Sequence, residues 1–329
     1  MFIAFLVINP LQGLPALTGK NMNNKIVMLA LISLAIIFSH NSNAANSPIK
    51  GLSVSTSVGV LSGKAQEYVY YPGTDRKLSQ LDWRIKNAAI LNGELNYSFV
   101  DWLGVVGRGW ITLAKNTAAM DDYDWLNPYQ KNWTHWSHHE NTHLNYANEF
   151  DLSLRAWLLQ KQDYKLGVAA GYQRNSFSWQ ANGGCYQYDN GTHVGCFPSS
   201  EPGIGYQQKF NTPYVGLTSK YSINNFEFNA FIKFSNWVSA RDHDEHYARN
   251  LTFNEYGNNA RYYAATINSG YFLTNNAKIF VEASYNHYSR ARADSEVIDN
   301  DTGKHVYDSD SSSLSNKNYT VALGLQYLF

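Results

Sequence analysis

Tyr319-Thr320-Val321-Ala322-Leu323-Gly324-Leu325-Gln326-Tyr327-Leu328-Phe329 closes the chain, and its reading decides the fold. Tyr319, Val321, Leu323, Leu325, Tyr327 and Phe329 alternate with Thr320, Ala322, Gly324 and Gln326, so an extended backbone sets an apolar row against small or polar side chains. The same period of two recurs upstream. Phe226, Phe228, Ala230, Ile232 and Phe234 oppose Glu227, Asn229, Lys233 and Ser235. Leu144, Tyr146, Phe150, Leu152, Leu154 and Ala156 oppose Asn145, Glu149, Asp151, Ser153 and Arg155, and Ile279, Val281, Ala283 and Tyr285 oppose Glu282, Ser284 and Asn286. Beyond residue 44 the sequence shows neither a helical period nor an apolar run long enough for a transmembrane helix.

Composition fits strands with lipid on one side and water on the other. Of the 329 residues 15% are aromatic, 24 of them Tyr and 9 Trp, yet only 16% are charged, and mean hydropathy stays at -0.39. A charge facing lipid near the midplane costs about 2–4 kcal/mol, whereas charges inside a narrow barrel can pair across the lumen. The polar rows are therefore expected to face inward. A β-sandwich would instead need the aliphatic rows to pack on a second sheet. A terminal aromatic on an amphipathic strand also resembles the insertion signal of outer-membrane barrels. The formal net charge of zero gives no electrostatic case for nucleic acid.

The N-terminal segment predicts export. Met22-Asn23-Asn24-Lys25, apolar Ile26 to Phe38 and the small-x-small Ser42-Asn43-Ala44 form a signal peptide over 22–44, with residues 1–21 an upstream extension and 45–329 the barrel. Ten strands are predicted, over 50–69, 78–98, 103–115, 142–159, 164–181, 203–222, 225–241, 252–273, 277–295 and 317–329. Tight turns at 98–101, 160–163, 223–224 and 274–276 alternate with longer polar connections at 70–77, 116–141, 182–202, 242–251 and 296–316. With both termini in the periplasm, the long connections face the outside. Cys185 and Cys196 lie in one of them, and a loop disulfide or two free thiols both fit an exported chain. No His- or Asn-based apparatus nearby suggests a catalytic cysteine.

Two outward clusters carry chemistry: Met120-Asp121-Asp122-Tyr123-Asp124-Trp125 and Asp242-His243-Asp244-Glu245-His246. In extended backbone Asp122 and Asp124 share a face, as do Asp242, Asp244 and His246. Paired carboxylates share protons, and an Asp beside a His fixes its tautomer and stabilises its imidazolium. Brought together, the clusters would activate a water without a Ser or Cys nucleophile. Alternation from Phe226 to Phe234 would send Asp242, Asp244 and His246 outward, so a bulge is predicted between Trp237 and Arg241. His138 and His139, beside Trp136, read as loop decoration rather than metal ligands.

These segments, with Leu61-Ser62-Gly63-Lys64, Ser79-Gln80-Leu81-Asp82-Trp83 and Leu144-Asn145-Tyr146-Ala147-Asn148-Glu149-Phe150-Asp151, resemble the omptin family of outer-membrane aspartyl-type proteases across essentially the whole mature chain. The resemblance implies an all-β, ten-stranded antiparallel transmembrane barrel with its active site outside the cell. It implies an acid pair at Asp122 and Asp124, and a dyad of His246 with Asp244. Glu67 and Asp242 match the acidic floor of the pocket for a substrate Arg or Lys, and Met120 and Ile204 its apolar walls. Lipopolysaccharide, which family members need for activity, would meet Tyr172, Arg174 and Lys209; Tyr172 keeps the family pattern, Lys209 is a conservative change, and Arg174, Ser176 and Asn258 depart from it. Cysteines are unusual for the family, and a bridge would stiffen 182–202. No metal or other cofactor is expected. The rival readings are an adhesin binding cationic partners through an acidic rim, a metal-dependent hydrolase without HExxH-type spacing, and a porin, for which about ten strands leave too little lumen.

Overall fold

The computed structural model describes residues 51–329, so the signal peptide and upstream extension lie outside the described residues. Twelve strands follow one another: β1 (Leu52–Tyr70), β2 (Lys77–Val100), β3 (Leu103–Thr112), β4 (Asn116–Asp124), β5 (His135–His139), β6 (Asn141–Gln160), β7 (Tyr164–Tyr188), β8 (His193–Ile223), β9 (Phe226–His246), β10 (Leu251–Phe272), β11 (Ala277–Asp299) and β12 (Lys304–Leu328). All pairings are antiparallel, and β1 pairs with both β2 and β12, which closes the barrel. Among the described residues no helix is long and apolar enough to cross a membrane, and a barrel crosses with strands instead.

Twelve segments stand where ten strands were expected. β3 and β4 lie end to end along β2, and β5 and β6 lie end to end along β7. The stretch 116–141 expected as a loop thus contributes two strands. Residues 182–202, 242–251 and 296–316 likewise mostly extend their hairpins, so that β7 continues to Tyr188 and β8 starts at His193. Above the bilayer the outer face of a strand meets water instead of lipid, and the pairing continues without the apolar alternation that reveals it below.

Within the apolar belt the alternation holds. Tyr319, Val321 and Leu323 point outward, as do Phe226, Phe228, Ile232 and Phe234, while Thr320, Ala322, Glu227, Lys233 and Ser235 are buried in the lumen. Charges there pair: Lys278 Nζ and Lys220 Nζ lie 2.6 and 2.9 Å from Glu227, Arg108 lies 2.7 Å from Glu282, and Lys233 meets Asp151. Leu144 departs from its expected lipid-facing row. A register shift at Asn145 turns it inward, where it is fully buried, while Tyr146 faces out. Above the ion pairs the lumen is filled by Trp83, Phe177, Trp179, Tyr206, Phe210, Tyr262 and Tyr288, all fully or almost fully buried.

The bulge that reorients the upper part of β9 lies slightly earlier than expected. Ser235 pairs with Tyr262 and Val238 with Ala260, leaving an extra β9 residue between them. The ladder to β8 shows the same excess between Phe234 and Ser239. The Trp237 backbone N–H donates to Ser235 Oγ at 3.0 Å. Inward positions change there from odd to even, and Val238, Ala240, Asp242 and Asp244 are buried.

Candidate active site

The start of β1, the end of β12 and the tight turns occupy one end of the barrel, since Ser53 pairs with Leu328; the clusters singled out in the sequence occupy the other. Asp242 follows Trp237, an exposed aromatic, by roughly 16 Å of strand. Outward neighbours at that height are polar, with Lys209 paired to Arg241, so the cluster lies beyond the apolar belt.

β9 delivers Asp242, Asp244 and His246 to the inner face, and a three-residue turn at Tyr247–Arg249 leads into β10. His246 Nε2 lies 2.7 Å from Asp244 Oδ2. The Arg249 guanidinium donates to His246 Nδ1. That nitrogen must accept, so the ring's N–H is at Nε2, directed at Asp244. Asp244 is almost wholly buried and its Oδ1 has no hydrogen-bond partner.

The acid pair comes from β4. Asp122 and Asp124 follow the buried Met120 on its inner face, opposite Leu81 and Ser79 of β2. Ser79 Oγ donates to Asp122 Oδ1 at 3.3 Å. Burial, then repulsion from Asp124 and Asp244, pushes the Asp122 carboxyl well above the usual range, while Arg249 pulls it down. Asp124 is also raised by burial, against the opposing pull of Ser79, Arg249, His135 and His246. Asp122 thus feels Asp244, and Asp124 feels His246, which brings the two clusters into one cleft.

The pocket beneath them is acidic. Glu67 of β1 pairs with Leu81, which pairs with Asp122, so these three strands carry one lateral row. Burial raises Glu67 strongly, reinforced by Asp244, Asp242 and Asp122. Burial also pushes Asp242 up to about 8, although Tyr206 donates to its Oδ2 at 3.0 Å. Met120 and Ile204 belong to the apolar cluster that includes Trp83 and Tyr206, and Ile204 pairs with His246.

Two residues of this cleft escaped the sequence reading. Glu255 pairs with Asp242 across the β9–β10 hairpin, which folding the chain about Tyr247–Arg249 would have shown. Arg249, three residues after His246, carries no pattern that marks it. His138 and His139, expected in a loop, sit on β5, with His138 Nδ1 2.8 Å from Asp121 and His139 Nε2 2.9 Å from Ser137 Oγ. On the outer wall Tyr172 and Arg174 are exposed, Tyr172 donates to Asn211 at 2.9 Å, and Lys209 pairs with the buried Ser176. Arg241 adjoins them, its guanidinium 5.1 Å from the Tyr256 ring. Cys185 and Cys196 are joined in a disulfide at the β7–β8 hairpin tip.

Comparison with known proteins identifies relatives over almost the whole chain. The family model described as the omptin family matches residues 48–329. The plasminogen activator of Yersinia pestis is 47% identical over 304 residues, which span 90% of this chain and 97% of that protein. Outer membrane protease OmpP of Escherichia coli (strain K12) is 38% identical, spanning 94% of this chain and all of its own length. Among solved structures, outer membrane protease OmpT from Escherichia coli superposes with a TM-score of 0.83 at 36% identity, covering 87% of this chain and 99% of its own.

Proposed function

Because the chain belongs to the omptin family of outer-membrane proteases, we propose that it is a cell-surface endopeptidase that cuts beside Lys or Arg with a water activated by His246. The observation that carries this reading is the meeting of an acid pair from β4 with an Asp–His pair from β9, above a buried acidic floor.

The chemistry follows from the protonation states. Once Arg249 swings aside, His246 Nδ1 takes a proton from water as the water oxygen attacks the peptide carbonyl carbon. Asp244 accepts the Nε2 hydrogen bond and stabilises the imidazolium. With their carboxyls raised, Asp122 and Asp124 share a proton that donates to the developing oxyanion. Collapse expels the amine, which takes the proton from His246. Glu67 and Asp242 receive the substrate cation through charge-assisted hydrogen bonds. On the outer wall Tyr172, Arg174 and Lys209, joined by Arg241, form a polar and basic surface suited to lipopolysaccharide phosphates.

Asp122→Ala and His246→Ala are expected to lower turnover of a dibasic peptide by orders of magnitude without unfolding the barrel. Full-rate cleavage by either variant refutes the mechanism, and binding of the peptide without cleavage by the unaltered protein would mark an adhesin. Assays with and without lipopolysaccharide test the outer-wall reading.

A further inference from the structure

Three carboxyl groups, not two, converge beneath the cleft. Glu67, Asp242 and Glu255 are buried to 2%, 7% and 1% exposure, and one oxygen from each lies within 4.8 Å of the others. They arrive on β1, β9 and β10, from opposite sides of the lumen. No donor group reaches Glu67 Oε2 or either Glu255 oxygen, and the contact of Glu255 with Asp242 needs a proton held between the two acids. A buried polar group left unpaired is costly, and a third acid beside two others compounds the cost. Stability alone gives no reason for it.

We infer that Glu255 is a third acid of the pocket that receives the substrate's basic side chain, and that the empty pocket holds protons which it releases when that cation enters. This rests on the reading of Glu67 and Asp242 as the pocket floor. The geometry suits the ligand: an ammonium nitrogen donating three tetrahedral bonds of about 2.8 Å requires oxygens about 4.6 Å apart. A guanidinium satisfies the same acceptors, two through its fork and one through a remaining N–H.

The groups facing the trio define its proton balance. β8 supplies Tyr206, donating to Asp242, and Gln208, whose amide donates to the Tyr206 hydroxyl at 2.8 Å. β9 adds Asp244 and β4 adds Asp122, while Arg249 is the cation that reaches Glu67 electrostatically. Leu314 of β12, beside Glu67, brings no charge. With anions outnumbering cations, the three carboxyls cannot all ionise in the empty pocket. Burial, then Asp242 and Glu67, raises Glu255 well above its usual range. An arriving cation reverses that balance and expels protons to solvent.

The test uses the mature chain refolded in detergent micelles, with retained compactness checked by unheated gel mobility. Glu255→Gln is expected to raise KM for matched Lys and Arg peptides about 10- to 100-fold, the worth of one charge-assisted hydrogen bond, with kcat changed far less. Titration calorimetry with an uncleavable N-methylated lysine peptide, in two buffers of different ionisation heat, should show proton release on binding near neutral pH and less of it in Glu255→Gln. If Glu67→Gln and Asp242→Asn raise KM but Glu255→Gln alters neither KM nor proton release, Glu255 is not part of the pocket. If none of the three substitutions moves KM, the reading of the pocket itself fails as well.

Discussion

Asp244→Asn isolates the charge beneath the proposed base. The side chain is 1% exposed, and the 2.7 Å contact to His246 Nε2 leaves the amide oxygen free to accept the same N–H. Shape and hydrogen bond survive the substitution; the negative charge does not. In the transition state the imidazole gains a positive charge centred about 4 Å from the carboxylate, worth about 4 kcal/mol at an effective dielectric of 20. At about 1.4 kcal/mol per factor of ten, kcat should fall about 10³-fold. Saturating a fluorogenic peptide with a central basic pair and following its initial rate gives kcat directly, with gel mobility of the unheated barrel as the control for folding. A variant that folds and retains kcat within about tenfold would show that the carboxylate does not stabilise an imidazolium, and water activation would need another base.

Other expectations concern the scaffold and its protons. Asp242 binds a proton in the folded state up to about 8, whereas an unfolded Asp releases it near 3.9; stability is therefore lost as pH rises from about 4 through 8. Thermal unfolding should occur at a higher temperature at pH 5.5 than at 8.5, and Asp242→Asn should flatten that difference; an unchanged slope in the variant refutes the assignment. Lys233→Met strands Asp151, which then keeps only the Tyr214 hydroxyl at 2.7 Å, and should cost about 3–5 kcal/mol, much of it recovered in Asp151→Asn/Lys233→Met. A double variant no more stable than the single one would contradict this in denaturant titrations. Replacing Cys185 and Cys196 with Ser should leave the barrel's unfolding temperature near that of the parent, because the bridge closes only the β7–β8 tip. Limited proteolysis should nevertheless cut within residues 186–195 sooner, and equal cutting rates would show that the bridge does not order the tip.

How far the sequence reveals this architecture depends on what surrounds each strand. Where lipid meets one face, as from Phe226 to Phe234 or Tyr319 to Leu323, the alternation of apolar and polar residues discloses strand, direction and inner face together. Above the belt that contrast vanishes, and β4, β5 and the upper parts of β7 and β8 look like polar loops although they remain paired, the β7–β8 ladder resuming beyond an irregularity at 182–184. The spacing of Asp122 with Asp124, and of Asp244 with His246, does specify shared faces, because extended backbone imposes the period. Which side those faces occupy requires knowing the bulges. The one in β9 could be inferred from the conflict between two acids and a lipid-facing row; the one at Asn145 had no such conflict to betray it, and Leu144 was assigned to the wrong side. Glu255 needed hairpin register, and Arg249 needed a side-chain path that no local pattern encodes.

The extra residue between Ser235 and Val238 has a bearing on how such a chain can vary over generations. Losing or gaining a single codon there would exchange the two sides of everything up to His246, sending acids toward the exterior and Arg241 into the cleft. Length changes in this short stretch are tolerable only in even numbers, or when a second odd change follows before Asp242. Descendants that preserve the activity should therefore vary freely in hairpin-tip length while keeping this interval's parity fixed.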